Sequence, residues 1–317
     1  MKRLLITGGC GFVGVNLIDF LRREGDFDIV VLDDLSLGRR EYLEPYRVRF
    51  VAGSICDPDV VNETVAGVSA IVHLAADTRV MDSIQNPRFN FEVNVIGTFN
   101  LIEAAKKAGI EQFVFASTGG AIVGQVEPPV HEQIPPRPIS PYGASKLAGE
   151  GYLSCYFGAY GMKTVALRFS NVYGPRSYHK GSVVAQFFKN ILERKDIVVY
   201  GDGTQTRDLV YVDDVCRAIV LALSANVGGE VYQLGSGSAT SVKALLDLIR
   251  ETVPPEPMPS VKYLPFRAGE ILHTYSKIDK ARAELGFTPA VPLQNGLATT
   301  WEWFLSRSKL GARTAAL

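Results

Sequence analysis

Short runs of apolar residues alternate with longer amphipathic segments through the first half of this 317-residue chain. The run RLLIT at 3–7 predicts a buried strand, and residues 12–24 place large apolar side chains on one helical face. Four further apolar runs predict strands, at 29–33, 48–53, 70–75 and 112–117, with a long helix from about 87 to 107. This alternation favours an α/β fold built on a doubly wound parallel sheet, although another α/β fold with the same rhythm remains open at this point.

The pattern becomes less regular after about residue 171. Prolines and glycines are frequent there, in NVYGPR, GDGTQTRD and VPPEPMPS, and helical segments are predicted at 182–194, 213–224 and 241–252. We therefore expect two domains, 1–170 and a smaller α/β C-terminal domain over 171–317. The chain is expected to cross between them.

Charge and cysteine content argue against several kinds of partner and binding site. The formal net charge is zero, so no basic excess favours a nucleic-acid partner. No apolar run approaches the roughly 20 residues of a membrane span. The cysteines are far apart without a CxxC motif, and histidine is scarce, which argues against a disulfide framework or a metal site and predicts a cytoplasmic location.

The segment TGGCGFVG at 7–14 follows the first predicted strand and opens the first predicted helix. Gly8, Gly11 and Gly14 are spaced to form a tight turn, to let backbone approach a pyrophosphate, and to pack helix on strand. Asp33 ends the second predicted strand, 19 residues after Gly14. A carboxylate there accepts hydrogen bonds from ribose hydroxyls and repels a 2′-phosphate, which favours NAD over NADP. The alternative is a purely structural strand–helix turn.

Tyr142 and Lys146 stand four residues apart in SPYGASK, at the start of a predicted helix. Residues at this spacing share a helix face. A neighbouring ammonium group lowers the pKa of a phenol from its ordinary value of about 10, so that the phenol can act as a general base. Taken alone, the pair is equally compatible with an exposed aromatic–lysine contact.

Together, TGGCGFVG, HLAA (73–76), NVIGT (94–98), STGG and YGASK resemble the extended short-chain dehydrogenase/reductase family. NVYGPR, GDGTQTRDLVYVDDV and RAGEILHTY extend the likeness through the second half. Within that family the chain is similar to the NAD-dependent nucleotide-sugar epimerases, dehydratases and decarboxylases. The resemblance implies a Rossmann-type NAD-binding domain over 1–170 and a nucleotide-sugar-binding domain over 171–317. It also implies tightly bound NAD and a homodimer formed through paired helices, although Leu147, Leu153 and Phe157 of the Tyr142–Tyr160 helix also suit an internal core.

The resemblance implies a role for individual residues. Tyr142 would be the base and acid, Lys146 would bind the nicotinamide ribose, and Thr118, or its neighbour Ser117, would hydrogen-bond the reacting sugar oxygen. The implied nucleotide-sugar ligands are Asn171, Arg207, Arg267 and Glu270. The implied cofactor-binding residues are Gly8, Gly11, Phe12, Val13, Gly14, Asp33, Ser54, Ile55, Leu74, Ala75, Ala76, Asn94, Tyr142 and Lys146.

The chain departs from the family pattern at four positions. Ser54 stands where many relatives carry an aspartate that reaches adenine, and Val123 replaces a usual tyrosine. Gly119 and Gly120 stand where dehydratases carry an Asp–Glu pair and decarboxylases a glutamate. Glycine cannot transfer protons, so elimination is disfavoured and C4 epimerisation through a 4-keto sugar is expected. The two glycines either form a turn with positive φ or leave room for the sugar to rotate.

The substrate is less well specified than the reaction. UDP-glucose/UDP-galactose is the default from the resemblance, and the small side chain of Thr274 keeps UDP-GlcNAc open. A basic group could instead pair with the C6 carboxylate of UDP-glucuronate; the candidates are Arg79, Arg176, His179 and Lys180. Other classes are a 4-keto reductase, disfavoured with NADPH by Asp33, and a non-catalytic NAD-binding scaffold, disfavoured by the intact Tyr142, Lys146 and Thr118.

Overall fold

The structure is a computed structural model that describes residues 3–253, 258–266 and 271–314, with residues 308–314 described for the backbone alone. The first half contains β1 (Arg3–Thr7), α1 (Phe12–Glu24), β2 (Asp28–Asp33), β3 (Arg49–Ala52), α2 (Pro58–Thr64), β4 (Ala70–His73), α3 (Val80–Gln85), α4 (Pro87–Phe91), α5 (Gly97–Lys107), β5 (Gln112–Thr118), α6 (Gly119–Val123), α7 (Pro141–Tyr160) and β6 (Lys163–Phe169). The second half contains β7 (Asn171–Tyr173), α8 (Val183–Leu192), β8 (Ile197–Tyr200), β9 (Thr206–Arg207), β10 (Leu209–Tyr211), α9 (Val212–Ser224), β11 (Glu230–Leu234), β12 (Thr240–Ser241), α10 (Val242–Thr252), β13 (Val261–Leu264), α11 (Asp279–Leu285) and α12 (Leu293–Thr314).

Seven parallel strands form the central sheet, in the order β3–β2–β1–β4–β5–β6–β11. Their apolar runs are buried because helices cover both faces, as parallel sheets require. The order reverses between β1 and β4, and ligands of such sheets bind at the carboxyl ends of the strands beside this switch point. The predicted doubly wound, Rossmann-type α/β fold is confirmed.

The long helix predicted from about 87 to 107 is divided in the structure. The side chain of Asn86 caps α4 by accepting a hydrogen bond from the Phe89 amide. A π-helical turn then spans Glu92–Ile96 before α5 begins. Such wide turns are rare and occur mostly at functional sites. This one carries Asn94, a residue predicted to lie beside the cofactor.

The second half of the chain completes the sheet of the first half. Strand β11 pairs in parallel with β6, with Gln233 opposite Arg168. Helix α9 packs against α1, and its Val215 and Ile219 lie in the same buried cluster as Ile6. The smaller part of the fold contains three two-stranded pairs, β7–β10, β8–β13 and β9–β12. Among the described helices, none has the length and apolarity to span a membrane.

Candidate active site

The glycine-rich turn after β1 packs directly on the segment that follows β4. Gly8 has a φ of 69°, and a Cβ there would lie 2.7 Å from the Ala75 amide nitrogen. A Cβ at Gly14 would lie 2.5 Å from the Gly8 carbonyl oxygen. Only glycine permits these two approaches, so the turn is as tight as its spacing predicts. Leu74 is held in the same place because its amide donates to the Thr7 carbonyl.

Asp33 joins the end of β2 to the glycine-rich turn. Its buried carboxylate accepts one hydrogen bond from the Cys10 amide at 2.9 Å and another from the Leu35 amide at 2.8 Å. Burial raises the pKa of Asp33, while the two amides oppose this by favouring the charged form. Each oxygen keeps a lone pair for a further donor. The carboxylate is therefore fixed at the edge of the sheet where a ribose would lie.

The residues around this turn fit a dinucleotide. Helix α1 begins after Gly11 without a side-chain cap and has no acidic residue in its first turn. Its first amides, at Phe12 and Val13, and the positive end of its dipole therefore suit a pyrophosphate. Asp33 suits the adenosine ribose. The donor set and the carboxylate are those that NAD requires.

The other predicted cofactor residues are placed around the same edge. Ser54 accepts a hydrogen bond from the Cys56 amide at 3.2 Å, so its hydroxyl stabilises the turn after β3. Ile55 is buried, and a Cβ at Gly97 would lie 2.7 Å from its side chain. Ala75 and Ala76 follow β4 beside Gly8.

Asn94 fixes the loop after Ala76 against α7. Its amide nitrogen donates to the Asp77 carbonyl at 2.9 Å and to Ser145 Oγ at 3.0 Å, and its oxygen accepts from the Asp77 amide at 2.8 Å. Ser145 Oγ in turn donates to the Tyr142 carbonyl at 2.9 Å. The buried Asn94 side chain therefore positions the helix that carries Tyr142.

Local sequence explains why Tyr142 lies in the first turn of α7. Ser140 caps the helix by accepting from the Gly143 amide, and Pro141 occupies the first helical position. The Tyr142 amide donates to Ser83 Oγ at 3.2 Å. Gly143 lets α6 approach closely, because a Cβ there would meet the Ala121 carbonyl.

Thr118 ends β5, and its side chain lies near the side chain of Tyr142. Burial raises the pKa of Tyr142 to about 12, and the charge of Asp77 also raises it, while the nearby Thr118 hydroxyl lowers it. This differs from the expected lowering by Lys146. Lys146 is not among the causes of the Tyr142 shift, and burial disfavours the charged form of both residues.

Lys146 is 3% exposed, and burial lowers its pKa to about 7. Its Nζ donates to the Ala116 carbonyl at 2.9 Å and lies 4.6 Å from the centre of the Phe115 ring. The negative charge of Glu150 acts in the opposite direction on the Lys146 pKa. Lys146 is therefore close to the balance between its charged and neutral forms at neutral pH.

The two hydroxyls at the end of β5 have different partners. Ser117 Oγ donates to Glu150 Oε1 at 2.6 Å, whereas Thr118 lies near Tyr142. Glu150 also accepts two hydrogen bonds from Arg168, from Nε at 2.8 Å and from Nη2 at 2.7 Å. The Ser117 hydroxyl is thus hydrogen-bonded to a buried ion pair. Thr118 carries the hydroxyl that lies beside the proposed base.

Gly119 and Gly120 open α6, and neither has a positive φ. The expectation of a left-handed turn is wrong. A Cβ at Gly119 would lie 2.6 Å from Gln233 Oε1, so this position is occupied by a neighbouring side chain. A Cβ at Gly120 would lie 3.9 Å from both Ile271 and Thr274, so this position faces the segment after residue 270.

Val123 has a packing role. It is fully buried in a small cluster with Ile122 and Val130, against which Leu147 of α7 packs. A valine at this position therefore helps to hold α6 against α7.

Two of the four predicted nucleotide ligands lie at or next to the β7–β10 pair: Asn171 begins β7, and Arg207 precedes β10 by two residues. The Asn171 amide donates to the Asp208 carbonyl at 2.9 Å, and Arg207 Nη1 donates to the Thr206 and Leu272 carbonyls at 2.9 and 3.2 Å. Asp208 accepts from the Ser276 amide, which draws the chain after residue 270 to the same place. Arg267 and Glu270 lie outside the described residues.

The four basic residues considered for a sugar carboxylate have other partners. Arg176 has a φ of 65° and donates to Asn16 Oδ1 at 2.9 Å and to Tyr46 OH at 2.8 Å, which ties the second half to α1. Lys180 donates to the Val172 carbonyl at 2.7 Å, and burial lowers its pKa to about 8. The remaining two form contacts within the protein: Arg79 with Asp82, and His179 with Arg39.

Sequence reasoning missed several residues of this site. Glu150 follows Lys146 by four residues, the same spacing that joins Lys146 to Tyr142, and this signal was available in the sequence. Asp77, Arg168 and Gln233 reach the site only through the strand order. Within the described part of the chain, no cluster of His, Cys, Asp and Glu is arranged to hold a metal.

Comparison with protein families gives a match to the NAD dependent epimerase/dehydratase family over residues 4–235. The UDP-glucose 4-epimerase of Mycolicibacterium smegmatis is 38% identical over 317 residues, which covers 97% of this chain and 100% of the relative. The crystal structure of the Thermotoga maritima UDP-glucose 4-epimerase with UDP-glucose superposes with a TM-score of 0.91 at 37% identity, over 98% of this chain and 100% of that one.

Relatives with other activities match over a similar share of the chain. A dTDP-glucose 4,6-dehydratase of Streptomyces niveus is 34% identical and covers 95% of this chain and 92% of its own. A UDP-glucuronate 4-epimerase of Thermodesulfobacterium geofontis is 32% identical and covers 96% of both. Overall similarity therefore fixes the family and its cofactor, while the reaction and the sugar depend on individual residues.

Proposed function

The chain belongs to the NAD dependent epimerase/dehydratase family, and we propose that it is an isomerase that catalyses the C4 epimerisation of a UDP-sugar. UDP-glucose and UDP-galactose are the proposed pair. The observation that carries this proposal is the sequence of groups at the end of β5. Thr118 lies near Tyr142, and the next two positions are glycines without an ionisable group.

The two glycines distinguish epimerisation from elimination. Removal of water from a 4-keto sugar needs a proton donor and a proton acceptor beside the carbons involved. Gly119 lies against Gln233, a neutral amide, and Gly120 faces Ile271 and Thr274. None of these groups titrates near neutral pH. The site thus retains the groups for oxidation and reduction at C4.

The residues of the chain have separate tasks in this reaction. Bound NAD supplies the chemistry of hydride acceptance and return. Tyr142 removes the proton of the 4-hydroxyl through its phenolic oxygen and later gives it back, and Thr118 orients the same sugar oxygen. Lys146 places positive charge beside the phenol and bonds the nicotinamide ribose. Asn171, Arg207, Arg267 and Glu270 hold the nucleotide while the keto sugar turns between the two hydride transfers.

The choice of sugar is part of the proposal. Thr274 lies beside Gly120, and both are small, so a 2-acetamido group is sterically compatible and UDP-GlcNAc is an alternative substrate. UDP-glucuronate is less favoured, because Arg176 and Lys180 are bound within the protein.

A homodimer is the proposed assembly. Leu153, one of the candidate interface residues of α7, is buried in the core, and Phe157 packs on Gly228 and Gly229. Other large apolar side chains of α4, α5, α7 and the turn between α4 and α5 are exposed, and the Phe99 and Tyr152 rings touch at 5.2 Å between centres. They are Phe89, Phe91, Ile96, Phe99, Tyr152 and Tyr160. An exposed apolar face of this kind suits a second copy of the chain.

The cytoplasmic location stays a prediction.

The test is an NMR time course of the purified protein, without added NAD, with UDP-glucose, UDP-glucuronate and UDP-GlcNAc in separate samples. We expect UDP-glucose to convert to an equilibrium mixture with its C4 epimer. Accumulation of a keto sugar or of a dehydrated product would contradict the glycine assignment. Oxidation of a UDP-sugar to its 4-keto form only with added NAD or NADP, with an equal amount of cofactor reduced, would indicate a 4-keto reductase running in reverse, and no conversion in the presence of bound NAD would favour a scaffold.

A further inference from the structure

A buried ion pair lies directly behind the Tyr142–Lys146 pair. Glu150 and Arg168 are about 5% and 4% exposed and form two hydrogen bonds between the carboxylate and the guanidinium group. The carboxylate also accepts a hydrogen bond from the Ser117 hydroxyl, with 2.6 Å between Oε1 and Oγ. Removing two charges from water is costly unless they are paired in good geometry. The position of this pair relative to the active site therefore calls for an explanation.

Helix α7 aligns this pair with the catalytic residues. Tyr142, Lys146 and Glu150 are spaced by four residues, so their side chains follow one face of the helix. Lys146 binds the Ala116 carbonyl, and Glu150 binds the side chain of Ser117, the next residue of β5. Three residues at successive turns of α7 thus lie against the last three residues of β5.

We propose that Glu150 is a positioning residue of the active site, which fixes the end of β5 next to Thr118 through its hydrogen bond to Ser117 and places a negative charge one helical turn from Lys146 on the same face of α7. Arg168 fixes the orientation of this carboxylate by binding both of its oxygens. This inference relies on the proposed function only for the assignment of Lys146 to the active site.

The charged and titratable groups that face Lys146 support this role. On α7 the charged neighbour is Glu150, with Tyr142 one turn away on the same face, and on β5 the lysine contacts the Ala116 carbonyl and the Phe115 ring. On β4, His73 is held neutral, because burial and the Lys146 charge lower its pKa to about 3. On β6, Arg168 is paired with Glu150. Glu150 is the group that raises the Lys146 pKa against the effect of burial.

The test is the Glu150→Gln variant, which keeps the shape of the side chain and one of its two acceptor oxygens and removes its charge. The protonation of Lys146 is followed by NMR of protein containing 13C-labelled lysine, with the Lys146 signal assigned from Lys146→Met. We expect the titration midpoint of Lys146 to fall by about one pH unit or more, because an opposite charge nearby shifts a pKa by that amount. The alkaline limb of the kcat profile should move to lower pH by the same amount, with little change in KM.

Glu103→Gln is the matched control. Glu103 is also a carboxylate bonded to α7, through Tyr156 OH, but it is partly exposed and bonded to Lys106 rather than facing Lys146. Its variant should leave the Lys146 midpoint unchanged. An unchanged midpoint in Glu150→Gln, or an equal shift in both variants, would overturn the proposal.

A double variant covers the case in which the unpaired Arg168 prevents folding. Glu150→Gln combined with Arg168→Gln leaves no buried charge, and its Lys146 midpoint should still be lowered. A midpoint restored to that of the unaltered protein would show that Glu150 serves only to neutralise Arg168. Because the titration needs no substrate, failure of UDP-sugar conversion would count against the proposed function and not against this inference.

Discussion

The Gln233 side chain occupies the space beside Gly119, with its Oε1 2.6 Å from the point where a Cβ on Gly119 would lie. Gln233 is fully buried on β11, and neither of its side-chain amide atoms has a hydrogen-bond partner within the described residues. The first glycine after Thr118 is therefore required by a residue that lies more than a hundred positions later in the chain.

Gly119→Ala should destabilise the protein. An alanine in place of a helical glycine normally adds about 1 kcal/mol of stability, but here the new methyl group must displace the end of β5 or the buried Gln233. We expect a lower melting temperature and a kcat reduced by about tenfold or more, since small misplacements of catalytic groups are costly. Calorimetry and steady-state kinetics measure both.

Gly120→Ala provides the comparison, because its methyl group would meet side chains only at 3.9 Å. Its melting temperature should not fall. Combining Gly119→Ala with Gln233→Ala should recover part of the loss, and a double variant that is no more stable than Gly119→Ala would rule out the contact as the cause.

Tyr142→Phe should abolish epimerisation while NAD remains bound to the purified protein. The variant removes only the phenolic oxygen, which lies near Thr118. Thr118→Val, which keeps the shape of the side chain, should lower kcat by about 100-fold, within the range of a positioned proton-transfer group. Cofactor content is measured by absorbance after denaturation, and turnover in Tyr142→Phe would exclude it as the base.

Lys146→Met should raise the stability of the protein in a pH-dependent way. The folded-state pKa of Lys146 is about 7 against 10.5 for the free side chain. Between these two pH values the unfolded chain binds more protons than the folded protein. Burial of Lys146 therefore makes the free energy of unfolding rise with pH, and it lowers that free energy most below about pH 7. The penalty is on the order of a few kcal/mol. Melting temperatures should therefore differ most at pH 6.5 and converge by pH 10.5, whereas the exposed control Lys107→Met should show no such trend.

Asp33→Ala should reduce the amount of NAD retained during purification. The variant removes a carboxylate for the ribose and also the acceptor of the Cys10 and Leu35 amides. We expect the affinity for NAD to fall by at least about tenfold, since hydrogen bonds to charged groups contribute about 1.5–3 kcal/mol. The fall should be smaller for NADP, because the repulsion of a 2′-phosphate is also removed. Isothermal titration calorimetry with both cofactors measures the ratio.

Tyr152→Glu should convert the proposed dimer to a monomer. Tyr152 is 38% exposed and touches Phe99 within the apolar face of α5 and α7. A charge there would be buried without a partner in the interface. Sedimentation velocity measures the change. Leu264→Glu, an equally exposed apolar residue on β13, should leave the assembly unchanged, and a monomeric unaltered protein would refute the dimer.

The sequence predicted those features that depend on neighbouring residues. The bounds of β1 and α1 agree with the prediction, because their apolar pattern and the glycine turn between them are local. The division of the 87–107 helix was missed, since the wide turn around Asn94 is stabilised by contacts of Asn94 with Asp77 and α7.

Contacts between distant residues explain the remaining differences. Arg176 has the charge expected of a residue that binds a sugar carboxylate, but it donates its hydrogen bonds to Asn16 and Tyr46 of the first half. The requirement for glycine at position 119 could not be predicted from the sequence either, because Gln233 contacts Gly119 only after β11 has joined the sheet. A pattern of residue types shows which groups are present, and only the strand order shows which of them meet.

The position of β11 has a consequence for protein synthesis. The ribosome releases residues 1–170 long before residues 230–234, so β6 emerges as the open edge of an incomplete sheet. An apolar strand with unpaired backbone groups can pair with another chain. A nascent chain stalled before β11 should therefore recruit chaperones or aggregate, and release beyond α9 and β11 should relieve both.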